Sequence, residues 1–172
     1  MDSFSIILVV VLLILVILSA FFSGSETSIM ALNQIKLDNA EKQGNKSAKI
    51  INSLRKEINR VLGVILIGNN LVNISASALL TFFVIKKFGD EYVWIGTLLL
   101  TIFIIIFAEI APKSFAAKRP ESIAYPASRI LKVLTKYLGS FSEILTNISN
   151  FLTGIKNNEN YFSENLNRDE LK

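Results

Sequence analysis

Three long apolar segments dominate the pattern of hydrophobic and polar positions along the chain. Residues 4–22, 61–85 and 92–108 contain no charged side chain. A helix of about 20 apolar residues crosses the roughly 30 Å hydrocarbon layer of a membrane. The pattern therefore predicts an all-α membrane protein with transmembrane helices at about 4–22, 61–85 and 92–111. Asp2 is the only charged residue before the first segment. A signal peptide begins with basic residues, so we expect this helix to be retained.

Basic residues are concentrated on one side of these segments. Residues 31–60 contain seven Lys or Arg against three acids, and residues 112–136 contain six against one. The short connection 86–91 carries two bases and two acids. Because positively charged loops stay in the cytoplasm, we predict a multi-pass cell-membrane protein with its N-terminus outside and its C-terminus in the cytoplasm. The short connection also makes the second and third helices antiparallel neighbours.

The charged parts of the chain show apolar residues at helical spacing, which predicts amphipathic helices next to the membrane. A turn at Gly44-Asn45 precedes the first of them. The three apolar stripes are Ala48, Ile51, Leu54, Ile58 and Val61; Ile123, Ala127, Ile130, Leu131 and Leu134; and Phe141, Leu145, Ile148, Leu152 and Ile155. Such helices lie at the lipid headgroups or pack against the base of the bundle, and both alternatives stay open. We expect a transmembrane domain over 1–155 and a polar linker over 156–172.

The composition restricts the chemistry of the protein. The 172 residues include no Cys and no His, which excludes disulfides, thiol and imidazole catalysis, and the usual zinc and haem sites. A bound metal would have oxygen ligands only, which favours Mg²⁺, Ca²⁺ or Na⁺. The apolar spans contain no Asp and no Ser–Lys pair at a plausible depth, so we expect no enzyme. The net charge of +4 reflects membrane topology rather than nucleic-acid binding.

Polar residues follow the first apolar segment, in Ser23-Gly24-Ser25-Glu26-Thr27. Ser23 and Glu26 fit a capping box, with Gly24 easing a bend into a new helix. Alternatively, the same break frees backbone carbonyls and lets the hydroxyls of Ser23 or Ser25 face a cation. Both interpretations predict that the first helix is interrupted here.

Three asparagines, Asn69, Asn70 and Asn73, lie within five residues of the second span. Asn69 and Asn73 begin a polar stripe at i+4 spacing that continues with Ser77 and Thr81. Hydrogen bonds between membrane helices, worth about 0.6 kcal/mol each, explain one asparagine easily. Three of them favour a site lined with amide oxygens.

Glu109 follows seventeen uncharged residues at the end of the third span. Pro112 removes a backbone donor and its ring clashes with the carbonyl of Ala108, so we expect the helix to kink or stop there. Glu109 is either an acid at the membrane surface, where it could pair with Lys113, or the one anionic ligand among neutral oxygens. A cage with a single carboxylate binds weakly, which suits a transporter whose ion must leave again.

These three motifs and the three-span pattern resemble the transmembrane domain of the CNNM/CorC family of magnesium transporters, over the chain up to about Ile155. The motifs that carry the resemblance are Ser23-Gly24-Ser25-Glu26-Thr27, Ile67-Gly68-Asn69-Asn70-Leu71-Val72-Asn73 and Glu109-Ile110-Ala111-Pro112-Lys113. The resemblance implies a homodimer in the lipid bilayer, with a juxtamembrane helical belt, that exports Mg²⁺ with Na⁺ as the coupling ion.

The resemblance also implies a set of site residues for a largely dehydrated Mg²⁺. The ligands would come from Ser23 or Ser25, Asn69, Asn70, Asn73 and Glu109. Gly24 and Gly68 would allow close approach of the backbone, and Pro112 would set the bend that presents Glu109. The preference for Mg²⁺ over Ca²⁺ and Na⁺ comes from the resemblance alone.

Members of that family usually continue into a paired CBS module that binds ATP. The sequence ends where that module should begin, so we expect ATP as a partner only through a CBS module absent from this chain. The alternative function is a membrane-embedded Mg²⁺ sensor or scaffold that regulates another transport protein.

Overall fold

The computed structural model describes residues 3–153, which are helical almost throughout. Short connections of one to three residues separate most of the helices. In chain order the elements are α1 (Ser3–Ala31), α2 (Gln34–Lys42), α3 (Lys46–Lys56), α4 (Ile58–Phe88), a 3₁₀ turn (Asp90–Tyr92), α5 (Val93–Phe103), a π-helix (Ile104–Ile110), α6 (Ala111–Lys118) and α7 (Pro120–Thr153). The all-α prediction is confirmed for this part of the chain. Ile155 and the predicted linker 156–172 lie outside the described residues.

Three helical stretches are long and apolar enough to cross a membrane: Ser3–Ala31, Ile58–Phe88 and Asp90–Lys118. The predicted number of spans is therefore confirmed. Each helix is longer than the predicted span, because the polar residues at its ends continue the helix beyond the apolar segment. Gly89, with φ 100°, ends α4 and turns the chain into the third span. A Cβ on Gly96 would lie 2.9 Å from Val84 Cγ2, so α4 and α5 pack as antiparallel neighbours.

Helix α1 lies at the centre of the described fold, packed against α4, the π-helix, α6 and α7. The main apolar core lies between α1, α3, α4 and α7. Its buried members are Phe22, Ile29, Leu54, Val61, Ile65, Val72, Ala127 and Leu131. Because α1 contacts both other spans, its polar residues can face either of them.

Helices α2 and α3 form a hairpin beside the end of α1. The side chains of Asn33 and Asn45 accept hydrogen bonds from the first-turn amides of α2 and α3, respectively. Gly44, with φ 87°, makes the predicted turn between them. A second core joins this hairpin to α7 through Leu32, Leu37, Ala48, Ile51 and Ala124. Ile58 and Val61 belong to α4 rather than to the predicted amphipathic helix, because the chain bends at Glu57.

The two apolar stripes predicted after the third span lie on one continuous helix, α7. Gly139 does not end a helix as a turn residue would. Its missing side chain instead makes room for Arg60, because a Cβ on Gly139 would overlap the guanidinium group. Pro126 also lies inside α7.

Arg55 of α3 closes the C-terminal end of α1. Its Nη2 donates to the carbonyls of Ile29 and Leu32, the latter at 2.7 Å, and its Nη1 donates to Gln34 Oε1 at 2.6 Å. The last carbonyls of a helix have no partner within the helix, and a cation is favourable beside them. Burial lowers the pKa of Arg55, and the nearby Asp38 carboxylate acts in the opposite direction.

Arg55→Ala should lower the free energy of unfolding by about 2–3 kcal/mol, because hydrogen bonds to a charged donor contribute about 1.5–3 kcal/mol. Arg55→Lys should recover part of this loss, since an ammonium group keeps the charge but not the forked geometry. Denaturant unfolding in detergent measures both. Lys56→Ala, at the exposed neighbouring position, is the control. Equal stability of the Arg55→Ala and Lys56→Ala variants would show that Arg55 does not secure the end of α1.

Candidate cation site

Helix α1 runs without interruption through 23–27, so the predicted break in the first span is wrong. The hydroxyls of Thr27 and Ser28 donate to the carbonyls of Ser23 (3.4 Å) and Ser25 (3.0 Å) in the preceding turn. These bonds are compatible with a continuous helix and leave no role for a capping box. The carbonyls that a broken first span was expected to release are therefore engaged in the helix.

Gly68 and Gly24 lie where α1 meets the other two spans. A Cβ on Gly68 would lie 2.5 Å from the Phe22 ring, so α1 and α4 pack closely because this residue is glycine. A Cβ on Gly24 would lie 3.6 Å from Pro112 Cβ, at ordinary contact distance. Close approach therefore depends on glycine at Gly68, whereas the space beside Gly24 accommodates a methyl group.

The hydroxyls of Ser23 and Ser25 are buried and have no hydrogen-bond partner among the described residues. An unpaired buried hydroxyl costs about 1–3 kcal/mol. At 3.6 residues per turn, side chains two positions apart point about 200° away from each other. The two serines therefore lie on opposite sides of α1 and do not face one common point.

The three asparagines of α4 have different surroundings. Asn69 Oδ1 accepts a hydrogen bond from Ser19 Oγ at 2.9 Å. Asn73 Oδ1 is buried and has no partner within residues 3–153. Asn70 is exposed in this chain. Interhelical hydrogen bonding thus accounts for Asn69 but leaves the oxygen of Asn73 unexplained. The sequence analysis missed Ser19, although its position one turn before Ser23 could have indicated it.

Glu109 lies in a π-helix, Ile104–Ile110, which the sequence analysis did not predict. In this wider turn the amide of Ala111 donates to the carbonyl of Ile106, five residues earlier. Pro112 has no N–H, so it can donate to neither of the carbonyls four and five residues before it. Single π-turns occur often at functional sites. The only signal for it in the sequence is the proline three residues after Glu109.

The third span does not stop at Pro112 but continues as α6 to Lys118. Pro112 is the second residue of α6 and follows the π-helix without a break, so its missing N–H leaves a carbonyl of the preceding turn without a backbone donor. The wider turns of the π-helix before Pro112 accommodate the absence of the hydrogen bond that the proline cannot donate. Free carbonyl groups are therefore expected in the third span rather than in the first.

The side chain of Glu109 is partly exposed and forms no hydrogen bond or ion pair with any described residue. Lys113, the partner considered for it, instead lies 3.6 Å from Glu26 Oε2. This ion pair joins α6 to α1 about one turn beyond Glu109 and Ser23. Residues 3–153 contain no cluster of three or more acidic side chains. A cation held here would bind Glu109 together with neutral oxygens.

The contacts between spans also define the relative heights of the polar groups. Because Gly24 meets Pro112 in the parallel third span, Glu109 lies about level with residue 21, between Ser19 and Ser23. Asn69 is level with Ser19, and Asn73 is one turn farther along α4. Oxygens from all three spans therefore follow one another within a few helical turns. Their chemistry suits a hard cation, which prefers carboxylate, amide, hydroxyl and carbonyl ligands.

Known proteins resemble this chain over most of its length. The cyclin M transmembrane N-terminal domain (CNNM) matches residues 10–172. A UPF0053 inner membrane protein, YfjD, of Escherichia coli K12 is 42% identical over 158 residues, which are 90% of this chain and 37% of that protein. A UPF0053 protein of Haemophilus influenzae is 44% identical over 129 residues, 75% of this chain and 31% of that protein.

A putative DUF21 domain-containing chloroplastic protein of Arabidopsis thaliana is 35% identical over 156 residues, which are 90% of this chain and 23% of that protein. The chain thus spans about a third or less of the length of these curated relatives. The domain match, in contrast, covers nearly all of the chain and agrees with the three apolar helices. This chain belongs to the CNNM family of cyclin M transmembrane N-terminal domains.

Proposed function

We propose that this chain is the membrane domain of a Mg²⁺ transporter that exports Mg²⁺ from the cytoplasm, driven by Na⁺ entry. The observation that carries the proposal is a set of polar oxygens without partners in otherwise apolar spans. Ser23 Oγ and Asn73 Oδ1 are buried and unpaired, and Glu109 has no partner among the described residues. Each unpaired buried group costs about 1–3 kcal/mol, and a bound cation would offset that cost.

The proposed ligands are Ser23, Asn69, Asn73 and Glu109, one or more from each span. Ser25 is left out because it points away from Ser23 on the continuous α1. Asn70 is left out because it is exposed in this chain. Because Ser23 and Asn73 lie about two helical turns apart in height, these oxygens would line a path and bind Mg²⁺ in succession. Free carbonyls beside the π-helix and water molecules would complete the six oxygens that Mg²⁺ requires at about 2.0–2.1 Å.

Charge explains why such a site would release its ion. One carboxylate neutralises half of the charge of Mg²⁺, and the other proposed ligands are dipoles. Transport requires binding that is favourable enough for entry and weak enough for exit. Among the described residues Glu109 is the acid within the π-helix, so it would supply most of the electrostatic attraction.

The proposal includes a topology and a quaternary structure. The excess of Lys and Arg in 31–60 and 112–136 supports an external N-terminus and a cytoplasmic C-terminus. We further propose that two copies of the chain form a homodimer in the cell membrane, with α2, α3 and α7 as a juxtamembrane belt. Regulation by ATP would belong to a CBS module outside this chain.

Transport by the purified chain is the direct test. The chain is reconstituted into liposomes that contain a Mg²⁺-sensitive dye, and Mg²⁺ movement is followed with an opposing Na⁺ gradient and with choline in place of Na⁺. We expect Mg²⁺ flux that depends on the Na⁺ gradient. No flux, with Mg²⁺ binding retained, would contradict transport and favour the alternative of a Mg²⁺ sensor or scaffold.

Asn73→Ala and Asn70→Ala form a matched pair for the same assay. Both remove one amide three residues apart on α4, but Asn73 Oδ1 is buried and unpaired whereas Asn70 is exposed. We expect at least tenfold lower flux for Asn73→Ala, because losing one charge-assisted ligand costs about 1.5–3 kcal/mol. Asn70→Ala should transport like the unmodified protein. The reverse order of the two variants would contradict the proposed ligand set.

A further inference from the structure

Helix α7 crosses the ends of two membrane-spanning helices at the same depth. Near its start, Ile123 contacts the position of Gly24 in α1 at 3.4 Å. Nineteen residues later, Ser142 fills the space beside Gly63 of α4. The hydrogen bond between Ser19 and Asn69 aligns the antiparallel α1 and α4 so that Gly24 is level with about residue 64. The roughly 28 Å of α7 between these contacts therefore begins and ends at similar heights, so α7 crosses the spans instead of running along them.

The surface of α7 is divided into three faces. One is buried against the bundle, one is apolar and exposed, and one is basic and exposed. The buried face is formed by Ala124, Ala127, Ser128, Leu131, Thr135, Gly139 and Ser142. The exposed apolar face is formed by Ile130, Val133, Tyr137, Phe141, Ile144 and Ile148. The exposed basic face is formed by Arg129, Lys132 and Lys136.

Contacts with α4 show which way these faces point. Gly139 packs against Arg60, and Ser142 packs against Gly63, which is one turn nearer the middle of the span. Around the axis of α7, the direction from Gly139 to Ser142 therefore points toward the membrane interior. The same direction, continued, reaches Phe141 and the exposed apolar face. The basic face lies on the other side of Gly139, away from the membrane interior.

The cations of the basic face have no acidic partners in the part of the chain that is described. The nearby Glu143 is engaged by Arg60 Nε at 3.2 Å. Lys136 Nζ lies over the Tyr137 ring at 5.8 Å from its centroid, which leaves its charge unneutralised. A helix with an apolar face toward the acyl chains and cations beside it is typical of binding at an anionic membrane surface.

We propose that α7 is an interfacial helix whose Arg129, Lys132 and Lys136 bind the headgroups of anionic phospholipids while its exposed apolar face enters the acyl layer. A second copy of this chain would cover the apolar face, whereas an anionic membrane surface would both cover that face and neutralise the three cations. Charge complementarity therefore favours lipid as the occupant. This proposal rests on the packing of α7 and is independent of Mg²⁺ transport.

The test uses the fact that the natural chain has no Cys. Val133→Cys on the exposed apolar face is labelled with an environment-sensitive fluorophore, and the full chain is reconstituted into phosphatidylcholine vesicles with a minor fraction of phosphatidylglycerol. In one set of vesicles the phosphatidylglycerol carries bromine, and in the other an equal mole fraction of the phosphatidylcholine does. Bromine quenches a fluorophore that it contacts. We expect brominated phosphatidylglycerol to quench more strongly, because each cation enriches anionic lipid by roughly fivefold.

Two triple variants that remove the same number of positive charges distinguish lipid binding by α7 from attraction between anionic lipid and the net positive charge of the protein. Arg129→Gln with Lys132→Gln and Lys136→Gln should abolish the difference between the two brominated lipids. Lys42→Gln with Lys46→Gln and Lys49→Gln removes the same charge from the α2–α3 hairpin and should keep the difference. Equal quenching by both lipids in the natural background would overturn the headgroup preference. Quenching by neither lipid, with energy transfer between labelled copies, would overturn the proposal in favour of a second copy.

Discussion

Replacement of Glu109 by Gln is expected to lower the affinity for Mg²⁺ about a thousandfold and to abolish Mg²⁺ flux. Gln keeps the size of the side chain and one neutral oxygen but removes the negative charge. Two unit charges 4 Å apart attract by about 4 kcal/mol at an effective dielectric constant of 20, which already corresponds to about a thousandfold because about 1.4 kcal/mol is a factor of ten. The double charge of Mg²⁺ increases this attraction. Mg²⁺ titration of the thermal unfolding temperature measures the change, because a ligand that binds the folded state at a free concentration c stabilises it by RT ln(1 + c/Kd).

Glu121→Gln is the control for this experiment. Glu121 is exposed in the first turn of α7, so its substitution makes the same change in net charge outside the spans. The control should bind Mg²⁺ like the unmodified protein. If both variants bind equally well, Glu109 is not a ligand, and the unpaired serine and asparagine oxygens need another explanation. If Glu109→Gln loses affinity while its unfolding without Mg²⁺ is unchanged, a purely structural role for Glu109 is excluded.

The sequence was sufficient to predict the helical class and the number of spans. The uninterrupted segments of uncharged residues are long enough to predict membrane helices without knowledge of how the helices pack. The predicted turn at Gly44-Asn45 is present, because Gly44 has a positive φ and Asn45 caps α3 by hydrogen bonds to neighbouring residues alone. Features that depend on local sequence were therefore predictable.

Features that depend on tertiary contacts were not predictable. Gly24 was expected to ease a bend, yet it lies inside the continuous α1 beside Ile123 and Pro112 of the neighbouring helices. The Ser23 and Glu26 pattern fits a capping box equally well, but α1 continues because its buried side chains pack on both neighbouring spans. Local signals for helix ends were thus overridden by packing.

The candidate site shows the same division. The residue types were evident in the sequence, since oxygen ligands in an apolar span are rare and costly. Their directions were not evident, because a shift of one residue turns a helical side chain by about 100°. Burial distinguishes Asn73 from the exposed Asn70, and the opposite directions of side chains two positions apart on the continuous α1 distinguish Ser23 from Ser25.

Gly68→Ala is expected to have the second large effect, because the added Cβ would lie 2.5 Å from the Phe22 ring. Overpacking of a tight interface costs about 1–3 kcal/mol. Separation of α1 from α4 would also pull Ser19 and Ser23 away from Asn69, so the affinity for Mg²⁺ should fall at least tenfold. Denaturant unfolding and Mg²⁺ titration measure the two effects on the same samples.

Gly24→Ala is the matched control, since the nearest atom to its Cβ would be 3.4 Å away. Both substitutions gain the same intrinsic helix propensity of about 1 kcal/mol, so their difference isolates the clash at Gly68. Phe22→Ala alone should cost about 3–5 kcal/mol through the cavity it leaves. Combined with Gly68→Ala it should cost less than the sum of the two, because the methyl group then enters that cavity. Additive losses would show that Gly68 and Phe22 do not set the distance between the two spans.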